Sequence, residues 1–487
     1  MTKKTLQPKT NFRPPIVTIL GHVDHGKTTL LDKIRESHVA AKEEGGITQH
    51  IGAYQIKVES DREKRAITFI DTPGHQAFAK MRVRGAQVAD IAVLVVAAND
   101  GIMPQTIESI GHIKDAKIPA IIALNKIDLP DTNIDKIKKQ LATHGFNLEE
   151  YGGDTPVIPI SAKTGEGVDK LLSMILLLSE MHETKEETPG QLKGVVIESS
   201  LSKQKGATGT VILRSGTLKV GEDVSNDTHI FRVRAILDEY GKSKKEIGAG
   251  DPGLILGWKV LPAVGSLITP KNMVKEIVLQ PVPSAPTIIP PYIPQTEEKD
   301  EKVRLILKTD TAGSLEAISA SLKDNVDIIG KYVGAITESD VLLAKTTHAL
   351  VIGFHIPVSE SVVKLAQTEK VLIKTYDIIY QLLDEIDDVV DALKKGNLVT
   401  ILGEAKVQAL FPHENDLIVG IKVLSGRIAK GDQVKILRKE EEIGRSRIKS
   451  MRHLKEETTK AEQGAEAGIL LSSNLPLLTG DSIISIG

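Results

Sequence analysis

From Ile16 to about residue 180, short apolar runs (IVTILG, AITFID, IAVLVVAAND, AIIALNK, VIPIS) alternate with stretches whose apolar positions recur at helical spacing. Strand-length runs separated by helices are the pattern of a parallel sheet wrapped by helices, which predicts an α/β domain over 16–184 after a short tail at 1–15. The charged string HETKEETPG at 182–190 breaks that pattern. From 192 onward the runs are short, punctuated by glycine and without long helical periods, so a β-barrel is predicted over 190–280. Six prolines in PVPSAPTIIPPYIPQT then remove backbone donors and favour extended chain, which predicts a linker at 281–298.

Beyond the linker, VRLILKTD, SLEAISASLK, VDIIGKYVGAIT, SDVLLAKTT, ALVIGF and SVVKLAQ alternate again, predicting a small α/β/α sandwich over 299–375. A long connecting helix is predicted at 376–396. Its apolar stripe is Ile378, Ile379, Leu382, Leu383, Ile386, Val389, Val390 and Leu393, and Asp384, Glu385, Asp387, Asp388 and Asp391 form an acidic face expected to be solvated. Lys394, Lys395 and Gly396 supply its cationic last turn and its stop. Residues 397–487 form a second β-barrel that repeats the first. Displaced by 210 positions, Ser215, Gly216, Leu218, Gly221, Glu222 and Val224 fall on Ser425, Gly426, Ile428, Gly431, Asp432 and Val434.

Length and composition agree with this division. The chain has 487 residues, enough for three or four domains, and its formal net charge of -2 argues against a uniformly basic nucleic-acid coat. Cysteine is absent, which removes disulfides, thiolate metal sites and a thiol nucleophile. The longest apolar runs, such as IAVLVVAA at 91–98, fall short of the roughly 18 residues needed to span a bilayer, and the opening residues carry no signal or transit pattern. A soluble, cytoplasmic, monomeric protein without a membrane partner is therefore expected. Charge is uneven, however: residues 422–455 hold eleven Lys and Arg against four acids, a basic stripe suited to RNA phosphate.

GHVDHGKT at 21–28 satisfies the phosphate-loop pattern directly after a predicted strand and before a predicted helix. Gly21, His22, Val23, Asp24, His25 and Gly26 would wrap backbone N–H groups around phosphate oxygens, Lys27 would neutralise the β and γ phosphates, and Thr28 would offer its hydroxyl to Mg²⁺. At the end of the strand AITFI, DTPGH supplies Asp71 to hold the metal through water. Thr72 and Pro73 continue the turn, Gly74 presents its N–H to the γ phosphate, and His75 follows. A neutral imidazole or an imidazolium at 75 would orient or polarise the attacking water.

Thr48, after a glycine pair in EEGGITQHIGAY, is the candidate switch ligand of Mg²⁺. NKID at 125–128 reads the base: Asp128 accepts both N–H donors of guanine, Asn125 and Lys126 tie the loop and cover the ring, and Ile127 lies between. The string Ser161, Ala162 and Lys163 brings the Ala162 N–H toward the guanine oxygen. The remaining histidines show no metal-ligand spacing.

Together GHVDHGKT, GGITQHIGAY, DTPGH, NKID and SAKTGEG resemble the translational GTPases, and among them the bacterial translation initiation factor 2 family. The likeness continues through KTDTAGSLEAI and GAITESDVLLA and runs from Arg13 onward. It implies a factor switched by GTP and GDP that delivers initiator tRNA to the ribosome and promotes subunit joining. It also implies that His75 is the hydrolytic residue, gated by Val23 and Ile47, with Thr48 as switch ligand and Asp24 beside a monovalent cation. About 15 residues precede the GTPase domain, so anchoring to the small subunit is expected to come from the core rather than from a long extension.

In the last barrel, Phe411, Arg452 and Glu466 match the family's formylmethionine pocket, whereas Ile421 and Ala467 stand at its cysteine positions. Two alternatives remain open on the residues alone: a specialised elongation or recycling GTPase, and a GTP-binding RNA or protein adaptor with vestigial hydrolysis.

Overall fold

The computed structural model describes residues 13–35, 48–60, 63–130, 132–182, 184, 190–226, 229–271, 302–394, 401–413, 416–438, 441–453, 456–473 and 477–486. The expected linker at 281–298, Ile47 of the expected gate, Lys395, Gly396, and the basic residues Lys439 and Lys455 lie outside them. Two compact units, Met1–Val390 and Asp391–Gly487, make up the chain and are taken one at a time. Among the described residues no helix is long and apolar enough to cross a membrane.

The first domain holds strands β1 (Ile16–Gly21), β2 (Gly52–Ser60), β3 (Glu63–Asp71), β4 (Ile91–Ala97), β5 (Ala120–Asn125) and β6 (Val157–Pro159) in the order β2-β3-β1-β4-β5-β6. Only the β2–β3 pair is antiparallel. Helices α1 (Lys27–Arg35), α2 (Ala79–Val88), α3 (Pro104–Ala116), α4 (Ile134–Thr143) and α5 (Val168–Met181) cover both faces.

The unbroken apolar run of β4 follows from that double cover. Ile91, Val93 and Val95 pack with Leu30, Leu31, Leu171 and Ile175 on one face, and Ala92, Leu94 and Val96 with Ile110, Ile113, Ile137 and Leu141 on the other. The end of the expected tail belongs to this domain, because Arg13 is buried and grips Asp90 with two hydrogen bonds of 2.6 Å.

Strands β7 (Lys193–Ser202), β8 (Gly206–Ser215), β9 (Leu218–Lys219), β10 (Asp223–Asn226), β11 (His229–Arg232), β12 (Ala235–Leu237), β13 (Ser243–Lys244), β14 (Glu246–Ile247), β15 (Pro252–Leu256) and β16 (Leu267–Pro270) build the second domain. Eight of them form one sheet ordered β11-β10-β16-β7-β8-β15-β12-β13, a half-barrel around Val196, Val211, Leu213, Ile255 and Trp258, beside the short β9–β14 pair. It is fixed to the first domain by Thr68 Oγ1 donating to Gly250 O at 2.5 Å and Gln55 Nε2 to Asp251 Oδ1 at 2.7 Å.

In the third domain β17 (Val303–Thr309), β18 (Val326–Val333), β19 (Leu350–Phe354) and β20 (Ile373–Tyr376) form a parallel sheet ordered β18-β17-β19-β20, with α6 (Ala312–Ser321), α7 (Glu338–Thr347), α8 (Glu360–Glu369) and α9 (Ile379–Lys394). The connecting helix thus begins at Ile379 rather than 376, since Tyr376 is the last residue of β20. Its apolar stripe is buried at Ile379, Leu382, Ile386 and Val390. The acidic face is not simply solvated: Glu385 pairs with Lys374, and Lys323 Nζ meets Asp387 Oδ2 at 2.6 Å. This domain docks on the other two through Arg84–Glu316 at 2.9 Å and through the Gly313 N–H, which donates to Glu198 at 3.1 Å.

The second unit consists of β21 (Ile401–His413), β22 (Asp416–Ala429), β23 (Gln433–Arg438), β24 (Glu441–His453), β25 (Glu456–Glu457), β26 (Lys460–Glu462), β27 (Glu466–Leu471) and β28 (Ser482–Ile486). The path β21-β28-β23-β24-β27-β22 closes through a β21–β22 pairing into a six-stranded barrel.

The repeat seen in the sequence is a repeat of structure. Gly221 N donates to Val233 O and Gly431 N to Ile448 O, at 2.8 and 2.9 Å, and in each copy the acidic residue that follows accepts from a backbone N–H three residues earlier: Lys219 N to Glu222, Ala429 N to Asp432. Gly221 and Gly431 sit at φ +88° and +95°, the left-handed turn conformation that glycine adopts without strain.

Candidate functional site

Three of the sequence motifs lie at carboxyl ends of parallel strands in the first domain, the edge where ligands bind open α/β sheets. Gly21 ends β1, Asp71 ends β3 and Asn125 ends β5. Gly21 has φ +141°, and a Cβ there would stand 2.3 Å from Val95 O, so only glycine lets the loop leave β1 in this direction.

Lys27 is buried and donates to Gly21 O at 2.9 Å and His22 O at 2.6 Å. Burial pulls its pKa down to about 8, against the opposing charge of Asp71. Beneath the loop His25 is 1% exposed, and burial lowers it to about 4, so it is a neutral filler of the loop. A Cβ on Gly74 would meet Lys27 Nζ at 2.4 Å and Val23 at 3.2 Å, which brings the second motif onto the first.

Val23, Asp24, Lys27, Thr28, Thr48, Gly74 and His75 line one cavity of about 220 Å³. Thr28 Oγ1 and Thr48 Oγ1 are 2.9 Å apart, although 20 residues separate them. An octahedral Mg²⁺ with ligands at 2.0–2.1 Å has neighbouring oxygens about 2.9 Å apart, so these two hydroxyls fit that ion, with buried Asp71 at the end of the adjoining strand.

His75 Nδ1 accepts from Ala77 N at 2.8 Å, which leaves Nε2 to carry the proton of a neutral ring. Burial, and after it the charge of Arg82, lowers its pKa to about 4. Tyr380 of α9 covers the ring, with centroids 3.9 Å apart.

The base-reading loop is equally interlocked. Asn125 Nδ2 donates to His25 O at 2.8 Å, tying NKID to the phosphate loop, and Asn125 Oδ1 accepts from Ala162 N at 2.9 Å. The Ala162 N–H expected to face the guanine oxygen is therefore engaged by Asn125 in this structure. Ser161 Oγ donates to Asp128 Oδ1 at 2.8 Å, orienting an exposed carboxylate. Lys126 takes φ +65° and lies 3.5 Å from Asp100, with Ile127 half-buried beside it and Lys163 exposed. Thr72 Oγ1 donates to Ile19 O at 2.8 Å and fixes the turn of DTPGH.

Four contributors escaped the sequence reading. Arg82, fully buried in α2, donates to the carbonyls of Pro73, Gly74 and His75 and pairs with Glu108 at 2.6 Å, holding the whole turn. Gln105 accepts from Val23 N at 2.9 Å. Gln49 donates to Asp377 O at 2.7 Å and accepts from Ile379 N at 3.2 Å, fastening the switch segment to the start of α9. Tyr380 is the fourth. An Arg or Gln within a polar helix carries no sequence signal, because the backbone groups it serves lie outside that helix.

In the second unit Ile421 and Ala467 face each other across β22 and β27 and are buried in the barrel core. They do not form an outward wall of a pocket. Alternation puts Gly420, Lys422, Glu466 and Gly468 on the other face, where Phe411 is 55% exposed and approaches Gly420, and Arg452 pairs in register with Gly468. On β24, Arg445, Arg447 and Lys449 are exposed while Ser446 and Ile448 are buried, so part of the basic stretch becomes one ladder.

The Elongation factor Tu GTP binding domain model matches residues 13–180, the Elongation factor G domain 2 model matches 191–270, and the Translation-initiation factor 2 model matches 292–387. The chain is 42% identical to Translation initiation factor IF-2 of Thermus thermophilus over 97% of its own length and 86% of that protein. It is 40% identical to the protein of the same name in Aquifex aeolicus, over 98% of this chain and 61% of that one. Among solved structures, GDP-bound aIF5B from Aeropyrum pernix matches at 27% identity, covering 97% of this chain and 92% of that one, with a TM-score of 0.46.

Proposed function

The chain belongs to the translation initiation factor IF-2 family, whose members are GTP-binding, ribosome-dependent GTPases, and from that premise we propose how its residues divide the work. The observation that carries the proposal is the single cavity in which Lys27, Thr28, Thr48, Gly74 and His75 meet.

Residues 21–28 and Gly74 wrap the phosphates of GTP or GDP, with Lys27 against the β and γ groups. Asp128, held by Ser161, selects guanine, and Asn125 couples base reading to the phosphate loop. Thr28, Thr48 and, through water, Asp71 are the residues that would hold Mg²⁺, which when bound neutralises charge on the β and γ oxygens. Asp24, at φ +63° in the same cavity, is the residue for a monovalent cation.

His75 acts as a neutral imidazole. With Nδ1 committed to Ala77, it would present Nε2–H to the attacking water and orient it. Val23, which packs against Gly74, stands between the phosphate loop and that turn as a gate.

The second unit is assigned the acceptor end of initiator tRNA. Its Phe411, Gly420, Gly468 and Arg452 face offers an apolar ring over a bare glycine floor, and the ladder of β24 supplies phosphate attraction. The factor works on the ribosome, in the cytoplasm and as a monomer.

His75→Ala tests the hydrolytic assignment. GTP affinity should stay within about twofold while ribosome-stimulated turnover falls by about a hundredfold or more. Unchanged turnover would remove His75 from catalysis and favour a binding adaptor.

A further inference from the structure

A second cluster of ligand-type side chains lies outside the nucleotide cavity. Thr309 and Phe354 are register partners at the carboxyl ends of β17 and β19, so the residues that follow them, Asp310 and His355, emerge side by side. The strand order β18-β17-β19-β20 reverses direction between β17 and β19, and that crevice is where an open parallel sheet receives a ligand. His50, two residues beyond Thr48, closes the crevice from the first domain.

The three side chains converge with matching chemistry. Asp310 Oδ1 accepts from Thr311 N at 2.8 Å, which leaves Oδ2 to face His50 Nε2 at 3.3 Å and His355 Nδ1 at 3.8 Å. One ligand atom from each of the three lies within 4.8 Å of the others.

His355 Nε2 is 2.7 Å from Asp377 O, a carbonyl that only accepts, so the proton of the neutral ring sits on Nε2 and Nδ1 offers a lone pair. That Nδ1 is buried without a hydrogen-bond partner and points at a carboxylate oxygen, an arrangement that a cation between them completes. His355 is held at φ +53°, left-handed for a residue with a Cβ.

We propose that His50, Asp310 and His355 form a binding site for a borderline transition-metal cation, zinc above all, that staples the switch segment to the third domain. Two imidazoles and one carboxylate suit zinc and disfavour Mg²⁺, which takes oxygen ligands. Tetrahedral zinc with ligands near 2.0–2.1 Å has edges of about 3.3 Å; the His50–Asp310 separation of 3.3 Å already equals that edge, while the 3.8 Å between His355 and Asp310 would close by about half an ångström on binding. Three protein ligands leave a fourth position for water. Because Gln49 already ties this segment to Asp377 and Ile379, the metal would lock a contact that exists rather than create one.

The test is titration of zinc chloride into the nucleotide-free, chelator-washed full chain by calorimetry, with and without millimolar Mg²⁺. The visible absorption of the cobalt(II)-loaded protein serves as a second readout. One equivalent should bind, with micromolar or tighter affinity that Mg²⁺ does not displace, and cobalt should give the intense bands of a tetrahedral site. His50→Gln, Asp310→Asn and His355→Asn should each weaken zinc binding at least tenfold and abolish the cobalt bands, while His112→Asn, a histidine of α3 that pairs with Glu108 and is not a member of the cluster, should leave both intact. Absence of stoichiometric binding, displacement by Mg²⁺, or binding untouched by the three substitutions would overturn the site. Thermal unfolding guards against a folding artefact: zinc should raise the parent midpoint and leave that of His355→Asn unmoved, and an equal rise in both would also overturn it.

Discussion

Tyr380 lies over His75 with ring centroids 3.9 Å apart and an interplanar angle of 60°, so a side chain of α9 in the third domain sets the surroundings of the proposed hydrolytic residue. Burial and Arg82 hold that imidazole at about 4, below its ordinary 6.5. In such a group the folded form resists protonation, so its contribution to stability is full above pH 6.5 and is lost as pH falls toward 4. Tyr380→Ala should admit water and raise the His75 pKa by about one unit. An NMR titration of the His75 ring measures this directly; an unmoved midpoint would assign the shift to Arg82 and the backbone alone.

Asp128→Asn replaces one acceptor by a donor in front of guanine's own donors. Loss of two charge-assisted hydrogen bonds should weaken GTP binding by about a hundredfold or more and shift preference to xanthosine triphosphate. Competition between the two nucleotides checks this, and a variant that keeps the parent's preference would mean that NKID does not read the base.

Glu198 carries the opposite pH signature. Burial raises its carboxyl to about 7 even though Ser199 N and Gly313 N donate to it. A raised acid keeps its proton in the fold, so its stabilisation is complete below about 4.5 and disappears as pH rises through about 7. Glu198→Gln should remove that slope, so the stability of the parent relative to the variant should fall by on the order of 3 kcal/mol from pH 4.5 to 7, a difference in which the opposite slopes of the buried histidines cancel. Parallel melting curves would show that Glu198 is already ionised at its contact with α6.

Arg447 and Lys449 share the outer face of β24. Replacing both by Ser should weaken initiator tRNA binding and reduce the slope of log affinity against log salt by roughly 1.5, the value for two lost phosphate contacts. An unchanged slope would place the RNA elsewhere.

The nucleotide motifs were legible in the sequence because each is a contiguous string whose function depends on its own backbone: Gly21 needs its left-handed φ wherever the chain goes, and Lys27 and Thr28 follow it by covalent connection. The same holds for the paired turns at Gly221 and Gly431, where a local hydrogen-bond pattern repeats a local sequence pattern. Period-two alternation belongs to the strand as well, but knowing which parity faces the core required the closed barrel, which buried Ile421 and Ala467 and turned Gly420 and Gly468 outward. Hidden altogether were Arg82 gripping three carbonyls of DTPGH, Gln49 hooked to Asp377, Tyr380 over His75, and the meeting of His50 with Asp310 and His355. Arg82 reaches back only seven to nine residues, out of a helix whose sequence does not mark it, but the other three join segments distant in sequence, up to 328 positions for Gln49 and Asp377. Spacing along the chain carries no trace of such pairs, because the docking of one folded domain on another brings them together, and that docking depends on the shape and burial of whole surfaces.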